Sequence, residues 1–276
     1  MNEQTSDLTT SRKIAFVLAA TDQGTLIVNR FDRHQTPSAA AYGVGHELLS
    51  NSAYEPAEIN RVLSLLEARR RCHGAGVVAI DCGANIGVHA VQWAKHMTGW
   101  GQVVAIEPQE RIYYALAGNI ALNNCFNARA LHAAVTSRAG TMKIPSLNYC
   151  VPTSFGSLEL TQRSDTEPIG QPIDYSENSL VEIQTVSLDS LGMDRTDLIK
   201  IDVEGMEPDA LEGARETIKR HHPILVVEMI KNDRQHLRSW LESFGYLPLQ
   251  DRSNLVAVHH SDKSLQVLKS TKCESE

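Results

Sequence analysis

The chain has 276 residues, enough for one large α/β domain with additions, and 42% of them are hydrophobic. A net charge of −7 with no basic patch excludes a partnership with a nucleic-acid backbone, and no apolar stretch is long enough to cross a membrane. The five cysteines, Cys72, Cys82, Cys125, Cys150 and Cys273, form no C-x-x-C pair. They indicate neither a zinc site nor a disulfide framework and fit a reducing cytoplasm.

In chain order, residues 1–12 are polar and read as loose. Ile14 to Leu18 and Thr25 to Asn29, separated by Asp22-Gln23-Gly24, predict a β-hairpin. Asp32 to Ala53 reads as irregular, with Tyr42 and His46 expected to reach the pocket as a lid. Pro56 opens a helix whose Ile59, Val62, Leu63 and Leu66 share one apolar face. Arg69-Arg70-Arg71 near its end suits the negative pole of the helix dipole. Strands and helices then alternate: strand 77–81, helix 87–97, strand 102–107, helix 109–122 and a strand near 129–135. Such alternation predicts a parallel sheet covered by helices. The segment 136–185, with Pro145, Pro152, Pro168 and Pro172, reads as an irregular insertion on the substrate side. Within it, Asp165 to Glu177 reads as a disordered surface loop. The rhythm resumes with strand 198–202, helix 208–220, strand 223–228, helix 233–244 and strands near 246–250 and 254–259. His221-His222 and His259-His260 read as turn or surface residues. The implied organisation is 1–72 capping the core, 73–262 as the catalytic domain and 263–276 as a tail.

Four strands end in acids, and chemistry concentrates there. Val77-Val78-Ala79-Ile80-Asp81 runs straight into Cys82-Gly83-Ala84-Asn85-Ile86-Gly87. A strand that turns at once into a helix needs residues that tolerate unusual φ, which Gly83 and Gly87 supply and Asn85 allows. A dinucleotide site would place G-x-G-x-x-G here to receive a pyrophosphate. Asp81 instead occupies the first position, and it suits the ammonium of S-adenosylmethionine (SAM). The next strand ends in Glu107-Pro108, where a carboxylate accepts hydrogen bonds from ribose hydroxyls. Leu198-Ile199-Lys200-Ile201-Asp202-Val203-Glu204-Gly205 and Pro223 to Glu228 bring further charges to the same sheet edge, where open α/β sheets bind ligands.

Together the blocks Asp81-Cys82-Gly83-Ala84-Asn85-Ile86-Gly87, Glu107-Pro108, Lys200-Ile201-Asp202-Val203-Glu204-Gly205 and the Glu228 strand resemble the FkbM family of SAM-dependent methyltransferases, from about Gly43 to His259. The resemblance implies a class I (Rossmann-like) methyltransferase fold: a mostly parallel seven-stranded sheet, helices on both faces and an antiparallel C-terminal hairpin. It implies SAM as cofactor, with Asp81, Gly83, Asn85 and Glu107 as contacts, joined by their neighbours Ala84, Gly87 and Pro108 and by Ala134 at the end of the third strand. It places Lys200, Asp202 and Glu204 at the reaction centre.

The activity expected is O-methylation of a hydroxyl on a sugar or secondary metabolite. N-methylation of an amine or peptide, a non-catalytic SAM-binding module and an NAD-type oxidoreductase are the alternatives. A weakly acidic hydroxyl calls for a base or a metal. Asp202 and Glu204, then Glu228, are the candidate bases, and Lys200 would hold a substrate oxygen or pair with one of them. Asp202, Glu204 and Glu228 together offer hard oxygen ligands to Mg²⁺. No metal site is assigned to them, because clustered acids also occur at metal-free strand ends. The partner expected is a hydroxylated small molecule, with no nucleic acid and no membrane; homo-oligomerisation is left open.

Overall fold

A computed structural model describes residues 13–36 and 41–265. The polar start at 1–12, most of the 263–276 tail and Cys273 lie outside the described residues.

The N-terminal hairpin is β1 (Phe16–Thr21) and β2 (Gly24–Asn29), antiparallel. Helix α1 (Val44–Asn51) follows, in a stretch that the sequence reads as irregular. Its helical character comes from tertiary burial: only Val44, Gly45 and Leu48 face inward, too few for a legible periodicity. Helix α2 (Pro56–His73) starts at its proline and stops before Gly74, as expected. The core units are β3 (Val77–Cys82), α3 (Val88–His96), β4 (Gly101–Glu107), α4 (Glu110–Leu122) and β5 (Ala128–His132).

The expected strand at 129–135 is interrupted at Ala133, after which β6 (Ala134–Val135) leaves the main sheet. The insertion is not irregular throughout. β7 (Gly140–Pro145) and β8 (Leu180–Val186) join β6 in a small sheet of order β6-β8-β7. The expectation of disorder between Asp165 and Glu177 is also corrected: Ile169 is fully buried, and the Tyr175 hydroxyl donates to the Glu159 carbonyl oxygen. Buried side chains, not composition, order this segment.

The remaining elements are β9 (Leu198–Ile201), α5 (Glu207–Glu212), α6 (Arg215–His221), β10 (Ile224–Glu228), α7 (Arg234–Ser243), β11 (Tyr246–Asp251) and β12 (Asn254–His259). The single helix expected at 208–220 breaks at Gly213. A Cβ there would lie 2.1 Å from the Thr136 carbonyl oxygen, so the chain passes this point only without a side chain.

The main sheet has the order β11-β12-β10-β9-β3-β4-β5, and β12 runs against its neighbours. This is the Rossmann-like class I sheet with its antiparallel terminal hairpin. Apolar runs buried on both faces explain the strands. Ile80, Ile199 and Val227 meet α5, α6 and α7 on one face, while Ala79, Leu198 and Val226 meet α2, α3 and α4 on the other. A third cluster joins the hairpin, α1 and the insertion through Leu26, Leu48, Phe155 and Ile183. No helix among the described residues is long and apolar enough to cross a membrane.

Arg70 and Arg71 sit in the last turn of α2, but Arg69 turns inward. Its guanidinium meets Asp197 at 3.1 Å and Asp262 at 2.5 Å, with all three side chains buried. Asp197 also accepts from the Val78 amide, so this knot fixes α2 and the C-terminal segment to the start of the central strands. His259 likewise departs from its surface reading: it is buried and stacks on His222 at 3.7 Å. We expect Arg69→Met to cost about 3–5 kcal/mol of unfolding free energy in urea titrations, because buried Asp262 loses its arginine and buried Asp197 is left with Arg195 alone.

Candidate active site

The strand ends open into a cavity of about 350 Å³. Loop backbone builds its floor. Gly83 (φ +79°) lies so close to Asp202 that a Cβ would stand 1.8 Å from the Asp202 carbonyl oxygen. The Gly83 and Ala84 amides both donate to the Ile106 carbonyl oxygen at 3.0 Å. Asn85 adopts the left-handed conformation (φ +50°), as its place in the loop requires. Its amide donates to Glu107 Oε2 at 2.9 Å, and the Gln109 amide donates to Oε1 at 2.9 Å. Burial nevertheless pushes the Glu107 carboxyl up to about 7, the two amides working against that shift.

Asp81, Gly83, Ala84, Asn85, Glu107, Pro108 and Ala134 all line the cavity. Gly87 does not; a Cβ there would strike Leu116 Cδ1 at 2.4 Å, so its glycine serves the packing of α3 on α4. Asp81 is 1% exposed, and among the described residues neither of its oxygens has a hydrogen-bond partner. Burial raises its pKa, and Lys200 and His89 oppose the rise.

Lys200, Asp202, Glu204 and Glu228 also meet here, Lys200 lying 2.7 Å from Asp202 Oδ2. Burial disfavours the Lys200 ammonium, but Asp202, Asp81 and Glu58 outweigh it and hold the pKa above the usual lysine range. The Asp202, Glu204 and Glu228 oxygens lie within 4.8 Å of one another. Two of these three acids already hold a lysine, Lys200 on Asp202 and Lys231 on Glu204 at 2.7 Å. The set as it stands therefore does not fit Mg²⁺. Among the described residues Glu228 has no ion pair; burial, then the neighbouring Asp202 and Glu204, push it up to about 9.

Several lining residues carried no sequence signal. Glu47 comes from α1, Glu55 and Glu58 from the start of α2, and His89 from α3. Glu55 sits at φ +43° immediately before Pro56, a strained conformation that marks functional positions in structures more readily than in sequences. Tyr42 lines the cavity as expected, but His46 does not. Among the described residues, nine carboxylates and two lysines line the cavity. The arrangement suits a cationic ligand and repels a pyrophosphate.

The sequence profile of the methyltransferase FkbM domain matches residues 81–248. Methyltransferase sdnD of Sordaria araneosa is 28% identical over 196 residues, covering 63% of this chain and 75% of its own. The FkbM methyltransferase of Methylobacillus flagellatus KT superposes with a TM-score of 0.47 at 20% identity, over 67% of this chain and 44% of its own, so this chain spans less than half of that protein. The precorrin-6y C5,15-methyltransferase of Geobacter metallireducens GS-15 superposes with a TM-score of 0.43 at 11% identity, over 76% of this chain and 90% of its own.

A pH test follows from Glu107. A carboxyl whose folded pKa lies near 7 instead of 4.5 favours folding while protonated and weighs against it once ionised. The wild type therefore loses this contribution as pH rises from the unfolded value through the folded one. The stability of Glu107→Gln relative to wild type is expected to shift in the variant's favour by about 3 kcal/mol between pH 4.5 and pH 8, read from paired urea titrations.

Proposed function

This chain belongs to the FkbM methyltransferase family, a family of SAM-dependent enzymes, and from that membership we propose that it methylates a hydroxyl group on a small molecule such as a sugar or secondary metabolite. The observation that carries the reading is the division of labour among the three acids at the ends of β9 and β10. Asp202 and Glu204 are each neutralised by a lysine, and Glu228 beside them has no ion pair among the described residues.

The residues present fit SAM. The unpartnered Asp81 carboxylate would receive the ammonium of its methionine part, since an uncompensated buried acid calls for a cationic donor. Glu107, held by two backbone amides, would turn its remaining lone pairs to the ribose hydroxyls. Asn85, Pro108 and Ala134 would shape the nucleoside wall. When bound, SAM supplies a methyl group already activated on a positive sulfonium.

The chain must then orient the acceptor, exclude water and take up a proton. Glu228 is the proton acceptor in this reading. A carboxylate with a high pKa is a stronger base than an ordinary one, and a nearby positive charge favours its ionised form. Lys200 holds Asp202 in place through their ion pair at 2.7 Å. An amine acceptor would need no such base, which favours O-methylation over N-methylation. The lining of acids weighs against an NAD-type oxidoreductase. Cytoplasmic residence belongs to the same reading, supported by Cys72, Cys82, Cys125 and Cys150, which form no disulfide among the described residues.

Calorimetric titration tests the cofactor: SAM is expected to bind and NAD to give no heat, and the reverse pattern would sink the proposal. The base is tested by radiolabelled methyl transfer to a panel of hydroxylated small molecules. Glu228→Gln is expected to lose about 10² or more in turnover, with SAM affinity preserved. Wild-type turnover should rise with pH towards about 9 as Glu228 ionises, and the variant should lose that limb.

A further inference from the structure

Three segments distant in the chain meet at one buried ammonium. Lys231, just past β10, lies 2.7 Å from Glu204 Oε2 and 3.3 Å from Glu159 Oε1, and it donates to the Ser157 carbonyl oxygen at 3.1 Å. The Lys231 side chain is 7% exposed and that of Glu159 4%. An ammonium has three donors, and here all three have partners. Burying these charges is costly, and apolar side chains of similar size would serve stability as well or better. The arrangement makes physical sense as a device that holds separate parts in one geometry.

Two of the three partners belong to the insertion. Its turn at Ser154, Gly156, Ser157 and Leu158 lines the cavity and covers the cofactor loop. A Cβ on Gly156 would stand 2.9 Å from Asn85 Nδ2, so the turn rests directly on that loop. On the Glu107 side the turn is pinned by Gln109, whose side-chain amide donates to the Phe155 carbonyl oxygen at 2.8 Å. On the acceptor side Lys231 pins it. Thr166 donates to Glu159 Oε2 at 2.9 Å, which keeps that carboxylate in place for the lysine. The third partner, Glu204, sits at φ +55°, a conformation a non-glycine residue holds only where its surroundings fix it.

We propose that Lys231 is a positioning residue of the transfer site, whose one ammonium couples the seating of the insertion over the cofactor loop to the placement of the Glu204 carboxylate. This rests on the SAM reading of the cavity. Lifting residues 154–159 to admit or release the cofactor would remove two of the three Lys231 partners, Ser157 and Glu159, so the roof and Glu204 would be set together.

The test uses the full chain and S-adenosylhomocysteine, the product left after methyl loss. Stopped-flow binding gives association and dissociation rates, and hydrogen–deuterium exchange reports on amides 155–160. Lys231→Met is expected to speed dissociation about tenfold with association unchanged, and to speed exchange in that stretch. Lys231→Arg is expected to restore both. Glu159→Gln is expected to reproduce both effects while keeping the pair between Lys231 and Glu204, and it carries the test alone if Lys231→Met does not fold. Unchanged dissociation and exchange in Lys231→Met and Glu159→Gln, or failure of Lys231→Arg to restore them, would overturn the role of Lys231 only. Failure of the wild-type chain to bind S-adenosylhomocysteine would overturn the methyl-transfer reading itself.

Discussion

The site depends on an atom that is missing. Residue 83 has no Cβ, and the Asp202 carbonyl oxygen occupies the space one would need. Around that contact the loop ends are tied by backbone alone. Gly83 and Ala84 donate to Ile106 at the end of β4, and the Asp202 amide donates to Cys82 at the end of β3. Three strand ends are thereby drawn together before any side chain is considered. Asp81, Glu107 and Asp202 share one cavity because their backbones are joined, and the chemistry is laid on top of that join.

What is laid on top is unfavourable for folding. Carboxylates are gathered where water is scarce, so burial raises the pKa values of Asp81, Glu107, Glu204 and Glu228. Three non-glycine residues in left-handed conformation, Glu55, Asn85 and Glu204, line the same space. Both kinds of strain lower stability, and both concentrate at ligand sites because bound charge and bound shape relieve them. The two lysines relieve part of the repulsion in advance.

The main sheet was legible in the sequence because the parallel strands β3, β4, β9 and β10 are buried on both faces and so appear as short apolar runs with an acid at or just past their ends. The motif positions were legible for the same reason: strand ends in such sheets point at the ligand. The failures share a different cause. Arg69 meets Asp262 across 193 residues and Lys231 meets Ser157 across 74, and separations of that length leave no local periodicity. Lys231 in sequence is an ordinary turn lysine. The break in the helix at Gly213 and the order of the insertion are imposed by neighbours from other parts of the chain, Thr136 in the one case and the third hydrophobic cluster in the other. His259, beside another histidine in a turn-like context, is buried by its stacking on His222.

Helix α2 connects the two ends of the molecule in a mechanical sense. It is a rod of 18 residues. Its far end is clamped by Arg69 between Asp197 and Asp262. Its near end carries Glu58 and, one residue outside, Glu55, both facing the cavity. Some 14 residues of helix separate clamp from tip, about 20 Å of stiff backbone. The rod is also seated along its length by buried Ile59, Val62, Leu65 and Leu66, so it moves as one body and carries a rotation at the clamp through to the tip. The acidic wall of the cavity is therefore aimed from the opposite side of the sheet, and a residue that never approaches the ligand sets where that wall stands.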